Sequence, residues 1–280
     1  MRFQSILLFL NLFIFFTPQS VLAQDQDSIA FVQADRTTKR IKNGVIWHRV
    51  HSSELFGSTQ EINWIEIDLK KHQKRLHLAA DSAELKTTSD FAKEQQALVA
   101  INGGFFDMKN GGSIDYIRVD GEVINVTKAP SNRANAVLSF DNRHVDIQAN
   151  TLAHAEDSSL PNVLVSGPLL IERDTLVTLE RNPFNDNRHP RTAIGLSPNN
   201  TLILLVVDGR NRMAQGMSLP ELSKIMKWLD VHNAMNLDGG GSTTMYIKGA
   251  TDTDIVNHPS DNKSFDHQGE RSVANIIYLK

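Results

Sequence analysis

Residues 234–245 read A-M-N-L-D-G-G-G-S-T-T-M. A short apolar run of Ala234, Met235 and Leu237 stops at Asp238, three glycines follow, and Ser242, Thr243 and Thr244 close the stretch. Consecutive glycines in a β-prone segment cost backbone entropy. They are kept where the chain takes φ > 0 or where another group must approach the backbone closely. The stretch therefore predicts a strand that ends at a carboxylate, with bare N–H groups and hydroxyls gathered at the same point. Such a set suits a phosphate, a metal or a sugar; a tight turn between two strands is the plain structural alternative.

The same pattern occurs twice more upstream. The apolar run 98–101 ends in Asn102-Gly103-Gly104-Phe105-Phe106-Asp107, and the run 202–207 ends in Asp208-Gly209-Arg210. Six consecutive apolar residues at 202–207 predict a central strand. Between this strand and the one at 234–237 lies the clearest helix, opened by Ser218 as N-cap, Pro220 in the first turn and Glu221 closing a capping box. Leu219, Leu222, Ile225, Met226 and Leu229 make its apolar stripe. Strand, helix and strand form a crossover unit.

Alternating apolar residues at 45–50, 62–69 and 76–80 predict antiparallel strands. A short helix is expected at 89–96, with Thr88 or Ser89 as its cap. Asp120-Gly121 sets a hairpin between 114–119 and 122–126, and 141–143 turns a second between 136–140 and 144–148. Residues 24–40 and 151–161 are polar and read as loose chain. Arg191 stands at the start of a strand at 192–196, where its planar fork can meet a phosphate or a carboxylate. The fold expected is α+β, a mixed, largely antiparallel sheet with a few packed helices.

The formal net charge of −3 over 280 residues excludes a nucleic-acid protein held by a basic patch. Residues 1–23 begin with Arg2, continue through the apolar run 6–16 and end at Val21-Leu22-Ala23. They predict a secretory signal peptide cut after Ala23. The apolar run is too short to span a bilayer, which takes about 20 residues, and no later segment is long and apolar enough. An exported chain with no cysteine folds without disulfides, which suits a bacterial periplasm.

Taken in order, N-G-G-F-F at 102–106, S-G-P-L-L at 166–170, P-R-T-A-I-G at 190–195, V-D-G-R at 207–210, N-L-D-G-G-G-S-T-T-M at 236–245, N-x-P-S-D at 257–261 and E-R at 270–271 form a specific set. The set resembles the phosphodiester glycosidase family over residues 97–279. The resemblance implies hydrolysis of a sugar-1-phosphodiester at the anomeric bond by a single catalytic domain at 97–280. Residues 24–96 are then part of that domain or layered on it. In the bacterial relatives exopolysaccharide metabolism is a recurring association.

With that activity in view, Asp238 is the first candidate catalytic carboxylate, with Asp208, Asp107 and Glu270 competing for a second role. Arg191, Arg210 and Arg271 are candidates for the phosphate, beside an anion nest at Gly239, Gly240 and Gly241. Asn102, Gly103, Gly104, Ser242 and Thr243 are candidates for the sugar. No cofactor is required. Two rivals remain: Ca²⁺ or Mg²⁺ held by Asp107, Asp208 and Asp238 in a metal-dependent phosphodiesterase, and a non-catalytic periplasmic glycan-binding protein.

Overall fold

The structure is a computed structural model that describes residues 26–129, 131–149 and 152–280. The expected signal peptide lies outside the described residues. The strands in the first half are β1 (Asp35–Lys42), β2 (Val45–Ser52), β3 (Gln60–Asp68), β4 (Leu76–Ala80), β5 (Val99–Asn102), β6 (Ile117–Val119), β7 (Glu122–Asn125), β8 (Ala136–Phe140) and β9 (Val145–Ala149). The second half adds β10 (Asn162–Ser166), β11 (Leu169–Glu172), β12 (Thr175–Leu176), β13 (Arg191–Leu196), β14 (Thr201–Val207), β15 (Asn233–Asn236), β16 (Met245–Ile247) and β17 (Asn275–Leu279). The helices are α1 (Gln26–Gln33), α2 (Leu69–His72), α3 (Thr88–Glu94), α4 (Leu152–Asp157), α5 (Pro183–Asp186) and α6 (Leu219–Trp228).

Three antiparallel sheets result. Eight strands run β1-β2-β3-β14-β13-β15-β11-β12, five run β7-β6-β10-β8-β9, and four run β16-β5-β17-β4. The fold is α+β, as the sequence implied. β1 to β3 extend the same sheet as β13 to β15, through the β3–β14 pair from Thr201↔Asp68 to Val207↔Ile62.

Alternation explains the unbroken apolar runs. On β14, Leu202, Leu204 and Val206 face a central core that all three sheets share, while Ile203, Leu205 and Val207 face a second core under α1 and α6. β3 divides the same way, with Ile65 and Ile67 on one side and Ile62 and Trp64 on the other. On the four-stranded sheet, Ile101 and Ile277 enter the central core, and Ala100 and Ile276 pack under Phe91 of α3. A strand buried on both faces has no polar face to show.

The crossover forms as expected. β14 and β15 both pair antiparallel with β13, so they run parallel to one another on either side of it. α6 carries the full capping box, Glu221 N–H to Ser218 Oγ at 3.3 Å and Ser218 N–H to Glu221 Oε2 at 2.8 Å. α6 lies close on β13 because residue 195 is glycine: a Cβ there would stand 2.5 Å from Met226 Cε.

Three local expectations are corrected. Residues 26–33 are helical and 35–42 form an edge strand. β1 exposes seven of its eight residues, so no apolar alternation marks it. The span 151–161 contains α4. The cap of α3 is Thr87, whose side chain accepts from Asp90 N–H.

Candidate active site

The ends of β5 and β15 are tied together before either contributes a functional group. Asp238 N–H donates to the Gly103 carbonyl at 3.0 Å, and Asn102 Nδ2 donates to the Asp238 carbonyl at 2.6 Å. Asn102 Oδ1 accepts from Thr192 Oγ1 at 2.8 Å and from Thr244 N–H at 3.2 Å. Asn102 is therefore a buried tie between three segments; its polar atoms serve the chain and not a sugar.

Each residue of the glycine triplet meets a different neighbour. A Cβ on Gly239 would lie 2.7 Å from the Pro190 carbonyl oxygen. One on Gly240, at φ +64°, would lie 2.9 Å from Arg210 Nη2, and one on Gly241 would collide with Arg271 Nη2 and Asp261 Oδ1. The triplet, continuing into a 3₁₀ turn at Gly240–Ser242, is the floor on which two guanidinium groups lie.

A cavity of about 280 Å³ opens beside this turn, lined by Asp238, Asp115, Arg133 and Arg271, with Phe105 and Ile114 among its apolar residues. Burial pushes the Asp238 carboxyl up to about 6, against the Ser242 hydroxyl, the Gly239 N–H, Arg271 and Arg133, which all favour the ionised form. The Ser242 Oγ makes no hydrogen bond of regular geometry; its effect on Asp238 is one of proximity. Asp115 is buried with Oδ1 lacking any hydrogen-bond partner, and burial pushes it up to about 6, opposed by Arg133 alone. Arg271 holds Asp261 through Nε at 3.2 Å and Nη2 at 2.5 Å. The site thus presents two carboxyls poised in the range of general acid–base work and two cations able to receive an anion.

Asp115 and Arg133 were not singled out in the sequence. Asp115 sits between Ile114 and Tyr116 where a strand was expected; the strand begins later, at Ile117. A charged side chain interrupting an apolar alternation was the available signal. Arg133 lies in a polar loop and gave none.

Other expected site residues are placed differently. Arg191 is 2% exposed. Its Nε donates to the Met217 carbonyl at 2.8 Å, and Nη2 donates to the Phe184 and Asn187 carbonyls at 2.7 and 2.9 Å. Desolvation lowers it to about 10. The fork that could hold a phosphate is engaged by the backbone, and Arg191 is a structural clamp. Asp208 is buried, accepts from Asn257 Nδ2 and His258 N–H, both at 2.9 Å, and has His258 Nδ1 2.8 Å from Oδ2. It positions the 257–261 loop that carries Asp261. Asp107 accepts from Lys109 N–H, Asn110 N–H and Asn110 Nδ2, which hold its carboxyl below the usual range. Glu270 accepts from Ser89 N–H and Oγ at the start of α3 while burial raises it.

Gly103 and Gly104 pack against Asn275, whose Oδ1 accepts from Gly104 N–H at 2.7 Å. The buried Thr243 Oγ1 lies 3.4 Å from Thr192 Oγ1. Arg210 is exposed over Gly240 and, with Arg191 and burial, lowers His189. Asp107, Asp208 and Asp238 do not converge. Among the described residues, no group of three or more His, Asp or Glu side chains could hold a metal ion, so these carboxylates do not form the cage a divalent cation needs.

The model of a family described as phosphodiester glycosidase matches residues 95–280. The chain is 29% identical over 192 residues to mouse N-acetylglucosamine-1-phosphodiester alpha-N-acetylglucosaminidase, which covers 62% of this chain and 36% of that protein. The bovine protein of the same name is 29% identical over 193 residues, covering 62% and 35%. A Bacillus subtilis SPbeta prophage-derived uncharacterized protein is 24% identical over 215 residues, covering 69% and 33%. The chain spans about a third of the length of these relatives.

Among solved structures, a hypothetical protein from Synechocystis superposes with a TM-score of 0.71 at 15% identity, covering 88% of this chain and 64% of that one. The zebrafish catalytic domain of the same phosphodiester glucosaminidase, auto-inhibited by its pro-peptide, superposes at 0.65 with 21% identity, covering 88% and 87%. These two likenesses concern the fold. The family match spans β5 to β17 and with them the whole cavity lining, and the chain belongs to the phosphodiester glycosidase family.

Proposed function

We propose that this chain hydrolyses the glycosidic bond of a sugar-1-phosphodiester, releasing a free sugar and a phosphomonoester. The observation that carries this reading is the cavity in which Asp238 and Asp115 stand with Arg133 and Arg271. Two carboxyls serve glycosidic cleavage, and two guanidinium groups serve an anionic leaving group. Water adds its oxygen to the anomeric carbon as the bond from that carbon to the phosphate oxygen breaks. One water proton stays on the new sugar hydroxyl and the other passes to a carboxylate, while the bonding pair leaves with the phosphate.

Asp238 acts as the carboxylate facing the anomeric carbon, because four neighbours favour its ionised form. Asp115 has Arg133 alone in its favour and acts as the protonated partner. Phosphate is already a good leaving group, so the acid contributes less here than in a simple glycoside. Phe105, Met108 and Ile114 offer apolar surface to the sugar ring.

The catalytic domain takes its site from 97–280, and 24–96 form part of it, since β1 to β3 and β4 extend the sheets that carry the site. The expected leader at 1–23 directs the chain to the periplasm, where cell-surface and exopolysaccharide glycans supply phosphodiester-linked sugars. The chain is to be purified without residues 1–23 and screened against hexosyl- and N-acetylhexosaminyl-1-phosphodiesters, with free sugar as readout. In ¹⁸O-water the label is expected in the sugar. Label in the phosphate identifies a phosphodiesterase cutting P–O, and binding without turnover identifies a glycan-binding protein.

A further inference from the structure

Among the described residues seven large apolar side chains are exposed, and two of them, Met108 at 65% and Ile114 at 44%, line the active-site cavity with Phe105 and Phe106. A third lies alongside. Asn125 Nδ2 donates to the Ile114 and Asp115 carbonyls at 3.1 and 2.9 Å, and Thr127 Oγ1 accepts from Tyr116 N–H at 2.8 Å. Val126, between these two anchors, is 49% exposed. The apolar surface thus begins inside the cavity and runs on toward the chain at 126.

Met108 is held outward by a built turn. The Asp107 carboxylate accepts from Lys109 N–H, Asn110 N–H and Asn110 Nδ2, and the Asp107 carbonyl accepts from Gly111 N–H at 2.9 Å. Gly111 and Gly112, at φ +80° and +74°, press on the carbonyls of Ala83 and Ser82 and leave no space for a Cβ. Ile114 N–H donates to the Phe105 carbonyl at 3.1 Å and so stays beside that ring. Apolar groups fixed in water carry a hydrophobic cost that an apolar ligand relieves.

Charge and shape select the occupant. Arg133 and Arg271 are the cations of the cavity, and Lys109 and Lys128 are exposed cations next to Met108 and near Val126. An anion at the arginines with an apolar chain leading outward meets both features. Phe105 serves the sugar within, whereas Met108, Ile114 and Val126 offer nothing to the hydroxyls of a second sugar. The unbranched, polarizable side chain of methionine adapts to an alkyl chain. A protein seated on Met108 and Ile114 would close the cavity that those residues line.

We propose, on the basis of the hydrolytic reading above, that the substrate is an amphiphile, a sugar-1-phosphate esterified to a long-chain alcohol. Its alkyl chain lies along Met108, Ile114 and Val126. Water adds its oxygen to the anomeric carbon, one of its protons passes to a carboxylate, and the alkyl phosphate departs with the bonding pair.

Two diesters of N-acetylglucosamine-1-phosphate test this, one made with methanol and one with octanol, both kept below the micellar concentration. The wild-type chain is expected to prefer the octyl diester about tenfold or more in kcat/KM, the effect of burying about two methylenes. Met108→Ser and Ile114→Ser, both at exposed positions that tolerate change, should each reduce that preference about threefold or more. Calorimetry on Asp238→Asn should find the octyl diester bound more tightly than the methyl diester. It should also be bound more tightly than octyl N-acetylglucosaminide, which has the chain and no phosphate. Equal kcat/KM for the two diesters overturns the alkyl site and leaves the hydrolytic reading standing, and a preference that survives both serine substitutions overturns the placement of the chain. Octyl glucosaminide bound as tightly as the octyl diester shows adhesion without the arginines and overturns the proposal. No turnover of either diester, with tighter octyl binding that is lost when Met108→Ser or Ile114→Ser is added, upholds a site for the amphiphile and removes the hydrolytic reading. Neither turnover nor tighter octyl binding overturns the proposal.

Discussion

Gly241 leaves no room for a side chain because the Arg271–Asp261 ion pair occupies the position its Cβ would take. Both obstructing atoms are the ends of flexible side chains, so a methyl group moves the pair and spares the backbone. Gly241→Ala is therefore expected to fold, with Tm within about 5 °C of wild type. Arg271 leaves its place in the cavity. KM for a phosphodiester rises about tenfold, equivalent to about 1.4 kcal/mol for one displaced charged contact. Steady-state kinetics and a thermal melt measure both; an unchanged KM removes Arg271 from phosphate binding.

Asp238 is held by its backbone, not by its carboxyl. The Gly103 carbonyl and Asn102 Nδ2 fix its N–H and C=O, and both contacts survive a change of side chain. Asp238→Asn should keep the far-UV circular dichroism and lose about 10³-fold or more in kcat, the scale on which removal of a catalytic carboxylate acts. A variant retaining more than a tenth of wild-type turnover would reassign the reaction to another group.

Asp115 gives a pH signature. Its folded pKa of about 6 lies above the unfolded value of 3.8, so between them the folded chain binds more protons than the unfolded chain. Stability attributable to this group is present below pH 4, falls as the pH rises to 6, and stays lost above it. A shift of this size is on the order of 2 to 3 kcal/mol. Asp115→Asn should raise Tm at pH 7.5, leave it little changed at pH 4, and lower activity. As both cavity carboxyls titrate near 6, wild-type kcat/KM is expected to peak near pH 6 as the behaviour of a coupled pair. The variant loses the alkaline limb. A Tm difference independent of pH would show that Asp115 is not buried in this way.

Arg191 shows where sequence reasoning stops. Its motif, P-R-T-A-I-G, was legible, as was its place at the start of β13. The carbonyls of Met217, Phe184 and Asn187 come from segments the sequence could not bring together. Arg191→Ala leaves them unmet in the interior, so the expected result is a loss of about 3 kcal/mol or more in stability, read in urea unfolding, with KM little affected in the protein that folds. A stable variant with a raised KM would restore the phosphate role.

The fold was read most readily where burial leaves a pattern. The run 202–207 has both faces covered, and the Ser218–Glu221 box states its helix within four residues. α1 and β1 were missed because an edge strand exposed along nearly its whole length carries no period-2 signal. In the site, Asp238 and the glycines were legible because a triplet of glycines has few structural excuses. Asp107, Asp208 and Glu270 looked equivalent to Asp238 because a carboxylate that caps a turn and one that faces a cavity are the same letter.

Arg133 offers the sharpest test of the phosphate assignment. Unlike Arg191 it is exposed and lines the cavity, and it meets the Phe184 ring at 4.8 Å from that side, so truncation removes charge without opening the core. Arg133→Ala is expected to keep its Tm within about 3 °C, as surface changes do. It should raise KM for a phosphodiester about tenfold or more, since a cation on an anionic ligand contributes a charge-assisted bond. For an uncharged aryl glycoside of the same sugar there is no phosphate to lose, and KM should change less than twofold by the same argument. Arg133→Lys restores charge but not the planar fork, and it should recover part of the loss. Equal effects on the charged and uncharged substrates would mean that Arg133 acts only by restraining Phe184 and Asp115, and the phosphate would have to be sought at Arg271 and Arg210 alone.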